Sequence, residues 1–533
     1  MKTKSLLLSL GVVLTLGTAS MTAQNIYPSQ LSSKLVSEGK YTISFTLNAN
    51  AKDVKMKVYN GTNLLKTIEM GALNKGTQAV DVDINDISGE GLTWEIMASA
   101  DPFATTSAVK FADKTLDVFK FKNTRGISVD NNMESPYFGR VYITESAGGD
   151  AGGRTTQNGI YVVNSALEDV LSQGATAFTG NVTWSTSSSP MRLSVAPDGT
   201  VYMCDWSDNH SGVWKADPSD LSKSFFEVFG GTRNTAGLSS EGDVNIHGSI
   251  SGVYVEGSGE NTVLYTMDED MEKGKILKYN IGNLASQWVS APSATVFSNT
   301  DNLIQNACNM LAPDGKGGWW MSQYRYDETA TIPALIHANK LDAVDFNSGS
   351  NDATMLYHPW RGAFAVSHDG TKLAYGVAKA IKILGLTYDE SGKPTVTLLS
   401  SIVTGCAASW GMAFDVADNV YLSGAADGVE AYALPKTENA FTAKAPSKDT
   451  MVGGKTTGVD EVSGNDTKIN LVGGEIEINA RNGISEIEIY SISGQLLYHS
   501  DNGGATNAKI NASEWANGVY VVKANGATKK IIK

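Results

Sequence analysis

Leu193-Ser194-Val195-Ala196-Pro197-Asp198-Gly199 runs directly into Thr200-Val201-Tyr202-Met203: a strand, a turn and a second strand. The Asp-Gly pair supplies the left-handed backbone that a tight hairpin needs, since glycine has no Cβ to clash at positive φ. Working outward, Met310-Leu311-Ala312-Pro313-Asp314-Gly315 precedes Gly318-Trp319-Trp320-Met321, and Phe364-Ala365-Val366-Ser367-His368-Asp369-Gly370 precedes Lys372-Leu373-Ala374-Tyr375. Met412-Ala413-Phe414-Asp415-Val416-Ala417-Asp418 likewise leads into Asn419-Val420-Tyr421-Leu422, and Ile127-Ser128-Val129-Asp130-Asn131-Asn132 precedes Arg140-Val141-Tyr142-Ile143. A sixth, divergent copy pairs Gly252-Val253-Tyr254-Val255 with Val263-Leu264-Tyr265-Thr266. Turns at Asp198, Gly259, Asp314, Asp369 and Asp418 lie 61, 55, 55 and 49 residues apart, room for four short strands each.

A sheet of that size cannot bury its own faces, so such units must stack on one another, and a closed ring leaves no long sheet edge. The chain is therefore read as all-β, with a six-bladed β-propeller over residues 101–436 flanked by two small β-sandwich domains; the spacing also admits five or seven blades. Residues 101–124, with Leu116-Asp117-Val118-Phe119-Lys120-Phe121, are expected to add the strand that joins the first and last blades. With no Trp-Asp pair ending the units, they resemble NHL-type propellers more than WD-type ones.

The composition agrees: Gly 54 and Tyr 20 against only 18% charged residues suit short strands joined by tight turns. The formal charge of −14 excludes nucleic acid and anionic lipid as natural partners of the whole surface. Cys204, Cys308 and Cys406 form no CxxC and no zinc spacing, and read as small buried hydrophobes.

Residues 1–23 carry Lys2 and Lys4, an apolar run through Leu6-Leu7-Leu8 to Leu16, and small residues up to Ala23, the pattern of a cleaved secretory signal. The apolar run is shorter than the ~20 residues of a membrane span, and no other segment could cross one, so a mature chain without a membrane span is expected. At the other end, residues 459–533 alternate strictly, as in Glu475-Ile476-Glu477-Ile478 and Ile487-Glu488-Ile489-Tyr490. Ser493-Gly494-Gln495 turns the chain, and Asn517-Gly518 leads into Val519-Tyr520-Val521-Val522-Lys523 before Lys529-Lys530-Ile531-Ile532-Lys533. These segments resemble the C-terminal sorting domain of the type IX (Por) secretion system. The resemblance implies handling by that machinery, passage through the periplasm and outer membrane, and a cell-surface or secreted location.

Residues 24–100 hold period-2 strands at Tyr41–Leu47, Val54–Tyr59 and Ala79–Ile84, with Asn60-Gly61 as a turn, and resemble an immunoglobulin-like β-sandwich. Residues 437–458, with Pro446, Gly453 and Gly454, read as a linker to the sorting domain.

In a propeller, residues just before the innermost strands gather at one end of the ring, where ligands collect. Those positions give the candidate ligand-binding set Arg125, Arg192, His247, Asn309, Arg361 and Trp410. Arginines and a tryptophan around one funnel suit a carboxylate-bearing glycan, with Arg fixing the anion and Trp stacking on a sugar ring. The competing reading has the same arginines bonding blade carbonyls and Trp410 sealing the channel. No GxSxG, HExxH, P-loop or paired-carboxylate signature assigns a catalytic residue. The expectation is an exported binding protein for a glycan or surface protein, without a cofactor. The alternatives are a calcium-dependent polysaccharide hydrolase or lyase, for which Glu145, Asp205 and Asn309 are candidate ligands, and a structural surface-layer component.

Overall fold

The structure is a computed structural model. It describes residues 24–533 apart from 104, 185–187, 207–210, 234–245, 248–249, 269–274, 291, 299–307, 324–333, 349–361, 455–466, 473 and 517. Six blades form a ring. Their innermost strands are Thr124–Val129, Leu193–Val195, Ile250–Glu256, Cys308–Pro313, Phe364–Val366 and Gly411–Phe414, and each meets the next around the axis, the last returning to the first. From the axis outward, the first three strands of each blade pair antiparallel, as Leu193–Val195 with Val201–Asp205 and then Ser211–Ala216; in blade two, Ile246–His247 adds to Phe226–Arg233 in parallel.

The turns have the chemistry their sequence predicts. Gly199, Gly315 and Gly370 adopt φ of +87°, +72° and +70°, and in the last blade Asp418 takes the same region at +65°. The preceding aspartates fold back on the turn: Asp198 accepts the Thr200 amide at 3.0 Å, and Asp369 accepts that of Thr371 at 3.0 Å.

Six hydrophobic clusters lie between the blades, one at each interface. Tyr142, Ile160, Val201 and Trp214 pack blade one on blade two, and Trp320, Leu335, Leu373 and Tyr375 pack four on five. A blade is covered on both faces, which is why Val141–Glu145 and Val201–Asp205 are buried at every residue. Ring closure uses a strand from the start of the propeller as the fourth strand of the last blade, through Val109–Ala112 pairing with Val429–Ala433. The expected closing strand around Leu116–Phe121 is instead a short 3-10 turn at Asp117–Phe119, with Phe119 and Phe121 buried between blades six and one. The run is rich in apolar residues, and the chain buries its two phenylalanines at a corner rather than along a strand.

Residues upstream of the propeller form two facing sheets around one core, with Tyr41, Ile43, Phe45, Val58, Trp94 and Ile96 inside. One sheet joins Pro28–Ser37, Lys40–Leu47 and Gly76–Asp83; the other joins Ala51–Asn60, Asn63–Leu73 and Thr93–Ser99 with Ala440–Lys444. That last strand corrects the reading of 437–458 as linker. Ala443 and Met451 are fully buried in the same core, and Leu92 bridges Met451. The propeller is thus inserted before the final strand of this unit. Phe138 and Ala417, from the hairpin turns of blades one and six, belong to its core too, so the two units share one apolar interior.

Residues Thr467–Ile532 make a separate five-stranded sheet in which the long strand Glu475–Ser491 pairs first with Thr467–Val472 and then with Val519–Ala524. The strict alternation is realised as a core of Ile469, Ile476, Ile478, Ile487, Ile489 and Val522. Among the described residues, no helix is long and apolar enough to cross a membrane.

Candidate ligand-binding channel

Each innermost strand ends its sheet, so among the described residues its second edge faces the ring axis without a strand partner. The axis is a cavity of about 780 Å³ lined by all six of these strands, reaching from Arg192 at one end to the hairpin turns at the other. At the turn end the lining includes the exposed side chains of Glu256, Lys316 and His368 and the half-buried Asn131 and Asn132. Backbone N–H and C=O groups along a strand edge require partners, which water or a polyhydroxyl ligand can supply and an apolar ligand cannot.

At the opposite end stand three of the expected site residues. The Arg125 guanidinium lies over the Trp410 ring, 3.4 Å from its centroid, joining blade one to blade six. Arg192 donates from Nη1 to the Arg125 carbonyl at 3.0 Å. Arg125 and Arg192 are 8% and 4% exposed, so the geometry matches the competing reading in which these groups tie blades together. Arg192 nonetheless also lines the cavity. His247 and Asn309 are located only by their strands, Ile246–His247 and Cys308–Pro313, and Arg361 lies outside the described residues.

Glu145, a candidate calcium ligand, is fully buried and turned to its own loops. It accepts the amides of Lys122 at 2.8 Å, Asn123 at 2.7 Å and Ala147 at 3.2 Å. Burial raises its pKa, and these amides work against the rise. Asp205 is buried at the end of its strand. Cys204 and Cys406 are both free thiols; burial pushes the Cys204 thiol up to about 12.

Two buried polar groups stand beside the turn end. Asp130 accepts from the Ser135 hydroxyl at 2.5 Å, yet burial lifts its carboxyl to about 6. In blade four, His337 is completely buried between two carboxylates, with Nε2 3.0 Å from Asp314 and Nδ1 2.7 Å from Asp345. Burial works against ionisation of Asp314, but His337 and the Lys316 and Gly318 amides outweigh it and hold its pKa below the ordinary value. The rim residues Glu256, Lys316 and His368 escaped sequence reasoning because the turns were read for their backbone role; their place directly beside those turns was the signal.

Comparison with known proteins identifies one part of the chain. Residues 470–533 match the family described as the secretion system C-terminal sorting domain. That tail implies export and a cell-surface or secreted location, so this is an exported propeller protein. No curated protein matches the chain. Among solved structures, a gluconolactonase from Xanthomonas campestris is similar at 10% identity and a TM-score of 0.37, over 63% of this chain and 98% of that one. An auxiliary nutrient binding protein from Bacteroides thetaiotaomicron is similar at 10% identity and 0.37, over 74% and 94%. The WD40 β-propeller domain of Doa1 is similar at 11% and 0.31, over 78% and 98%. Similarity this distant carries no inference about activity.

Proposed function

We propose that this protein is a non-catalytic binding protein of the cell surface or medium that takes a glycan into the channel of its propeller. The observation that carries the reading is the 780 Å³ cavity walled by six strand edges. Peptide groups along those edges, apart from those already paired across blades such as the Val255 amide with Ser194 Oγ and the Phe414 carbonyl with Asn131 Nδ2, offer donors and acceptors that complement the hydroxyls of a sugar. Arg192 at the inner end supplies a fixed cation for a carboxylate-bearing residue, held in place by its bond to the Arg125 carbonyl. Glu256, Lys316 and His368 at the outer end supply the polar groups that set orientation.

The test is a glycan array probed with the intact exported protein, with calcium and with chelator, alongside Arg192→Ala and His368→Ala. Binding that survives chelation and falls about tenfold or more in either variant supports the channel reading. Binding untouched by both variants moves the ligand off the channel, and no binding on any glycan removes the glycan reading in favour of a protein partner.

A further inference from the structure

Gln24, Asn25, Ile26 and Tyr27 are 6%, 1%, 1% and 0% exposed, yet none belongs to a strand. Their backbone is held by the side chains of three asparagines, one nearby in sequence and two at or just past the far end of the propeller. Asn48 accepts the Tyr27 amide at 2.8 Å and donates to the Asn25 carbonyl at 2.8 Å. Asn419 accepts the Asn25 amide at 3.0 Å and donates to the same carbonyl at 3.0 Å. Asn439 accepts the Ile26 amide at 2.9 Å and donates to the Gln24 carbonyl at 3.0 Å. A carboxamide presents one acceptor and a donor group side by side, so each asparagine pairs with the segment as a neighbouring peptide group would.

Side chains add selectivity. The Asn25 amide donates from Nδ2 to the Asp418 carbonyl at 3.2 Å and the Leu434 carbonyl at 3.0 Å, an arrangement that a carboxylate could not make. Tyr27 packs its ring near Phe138 and Phe441, with centroids 6.0 and 6.1 Å away. Ile26 lies in the shared core. Pro28 then begins the first strand. Asn48 belongs to the two-sheet unit, Asn419 to blade six, and Asn439 to the stretch returning between them, so the tetrapeptide bridges both units.

We infer that residues 24–27 are a docked latch: the asparagine cradle is a peptide-binding site, selective for the Asn-Ile-Tyr side chains of residues 25–27, that the chain fills with its own segment and that takes the same peptide in trans when that segment is removed. The segment directly follows the expected signal cleavage at Ala23, which puts the latch at the free end of the processed chain. Docking it there joins the two units, and the inference is independent of what the channel binds.

The test uses the exported chain lacking residues 24–27 and a fluorescein-labelled Gln-Asn-Ile-Tyr peptide, read by fluorescence anisotropy. The shortened chain binds the peptide, the intact chain does not, and Ala in place of the peptide's Asn weakens binding by about tenfold or more. A folded shortened chain that ignores the peptide overturns the inference. Should the shortened chain not fold, Asn439→Ala in the intact protein is followed by hydrogen exchange. The Ile26 amide then exchanges about tenfold faster or more while the amides of Val201–Asp205 keep their protection; an Ile26 amide as slow as in the parent protein overturns it.

Discussion

The Arg154 guanidinium stands 4.8 Å from the ring of Phe121 and clamps the 3-10 corner that links the closing strand to the first inner strand. Its Nη1 donates to the carbonyls of Asp117, Val118 and Lys120 at 3.1 Å each, and Nη2 donates to Gly174 at 2.6 Å. Tyr161 lies on the same cation at 4.8 Å. The closing strand Val109–Ala112 and the first inner strand are joined through this corner, so the arginine acts on the ring as a whole.

Arg154→Ala is therefore expected to lower the unfolding free energy by about 2–3 kcal/mol, from several carbonyl bonds and a partly buried cation–π contact. Arg154→Lys keeps the charge but lacks the fork, and recovers less than half of the loss. Urea unfolding followed by tryptophan emission measures both; a full recovery in the lysine variant removes the bidentate clamp from the account.

Asp415 predicts a pH dependence. It is completely buried, accepts the Ala417 and Asn419 amides at 2.9 Å each and Asn419 Nδ2 at 2.7 Å, and burial still raises its pKa to about 7. A carboxyl whose folded pKa is raised holds its proton longer in the folded state. Its contribution is full below its unfolded pKa of about 4 and is lost as pH rises through the folded value. Asp130, raised to about 6, acts in the same sense. Stability is thus expected to fall between about pH 4 and 7, on the order of 1 kcal/mol per pH unit for each group. Asp415→Asn should flatten the part of that fall nearest pH 7. A melting temperature that climbs steadily across this window contradicts the assignment.

The buried His337 in blade four yields a third expectation. Removing the imidazole leaves Asp314 and Asp345 facing each other in a site where His337 is wholly buried and the Trp320 ring lies tilted against it, 4.7 Å between centroids. His337→Ala should cost about 3–5 kcal/mol, the scale for stranding a buried charge, beyond the cavity it opens. Adding Asp345→Asn should return part of it, a coupling that a calorimetric double-mutant cycle detects. Strict additivity would mean that the two side chains do not share a network.

The propeller was legible because its signals are local. Asp198-Gly199, Asp314-Gly315 and Asp369-Gly370 each declare a hairpin without reference to the rest of the chain, and their spacing sets the blade size. The sorting tail was legible for the same reason, since Ile476, Ile478, Ile487 and Ile489 alternate with polar residues along single strands. Arg125 and Trp410 were aligned by the repeat, but their stacking depends on blades six and one being neighbours, which only closure provides. The closing strand falls within the expected residues 101–124 but earlier than the Leu116–Phe121 run, because Val109-Lys110-Phe111-Ala112 is only four residues long and the later run carries more large apolar side chains. The cradle around Asn25 left no local trace, since its three asparagines meet only in the fold.

Ala443 distinguishes a strand from a linker. Read by composition, the stretch around it is a polar tether on which a charge would be harmless. In the structure it is fully buried opposite Ile96, in the sheet that also holds Trp94, whose indole donates to the Asp449 carbonyl at 3.0 Å. Ala443→Asp places an unpaired carboxylate in that core, and a cost of about 3 kcal/mol or more is expected. Because Phe138 and Ala417 share the same interior, the damage should reach the propeller and lower a single cooperative transition rather than split off a separate early one. Differential scanning calorimetry decides this: an unchanged transition returns residues 440–444 to the role of a tether, and two resolved transitions besides that of the separate C-terminal sheet show that the units unfold independently despite their common core.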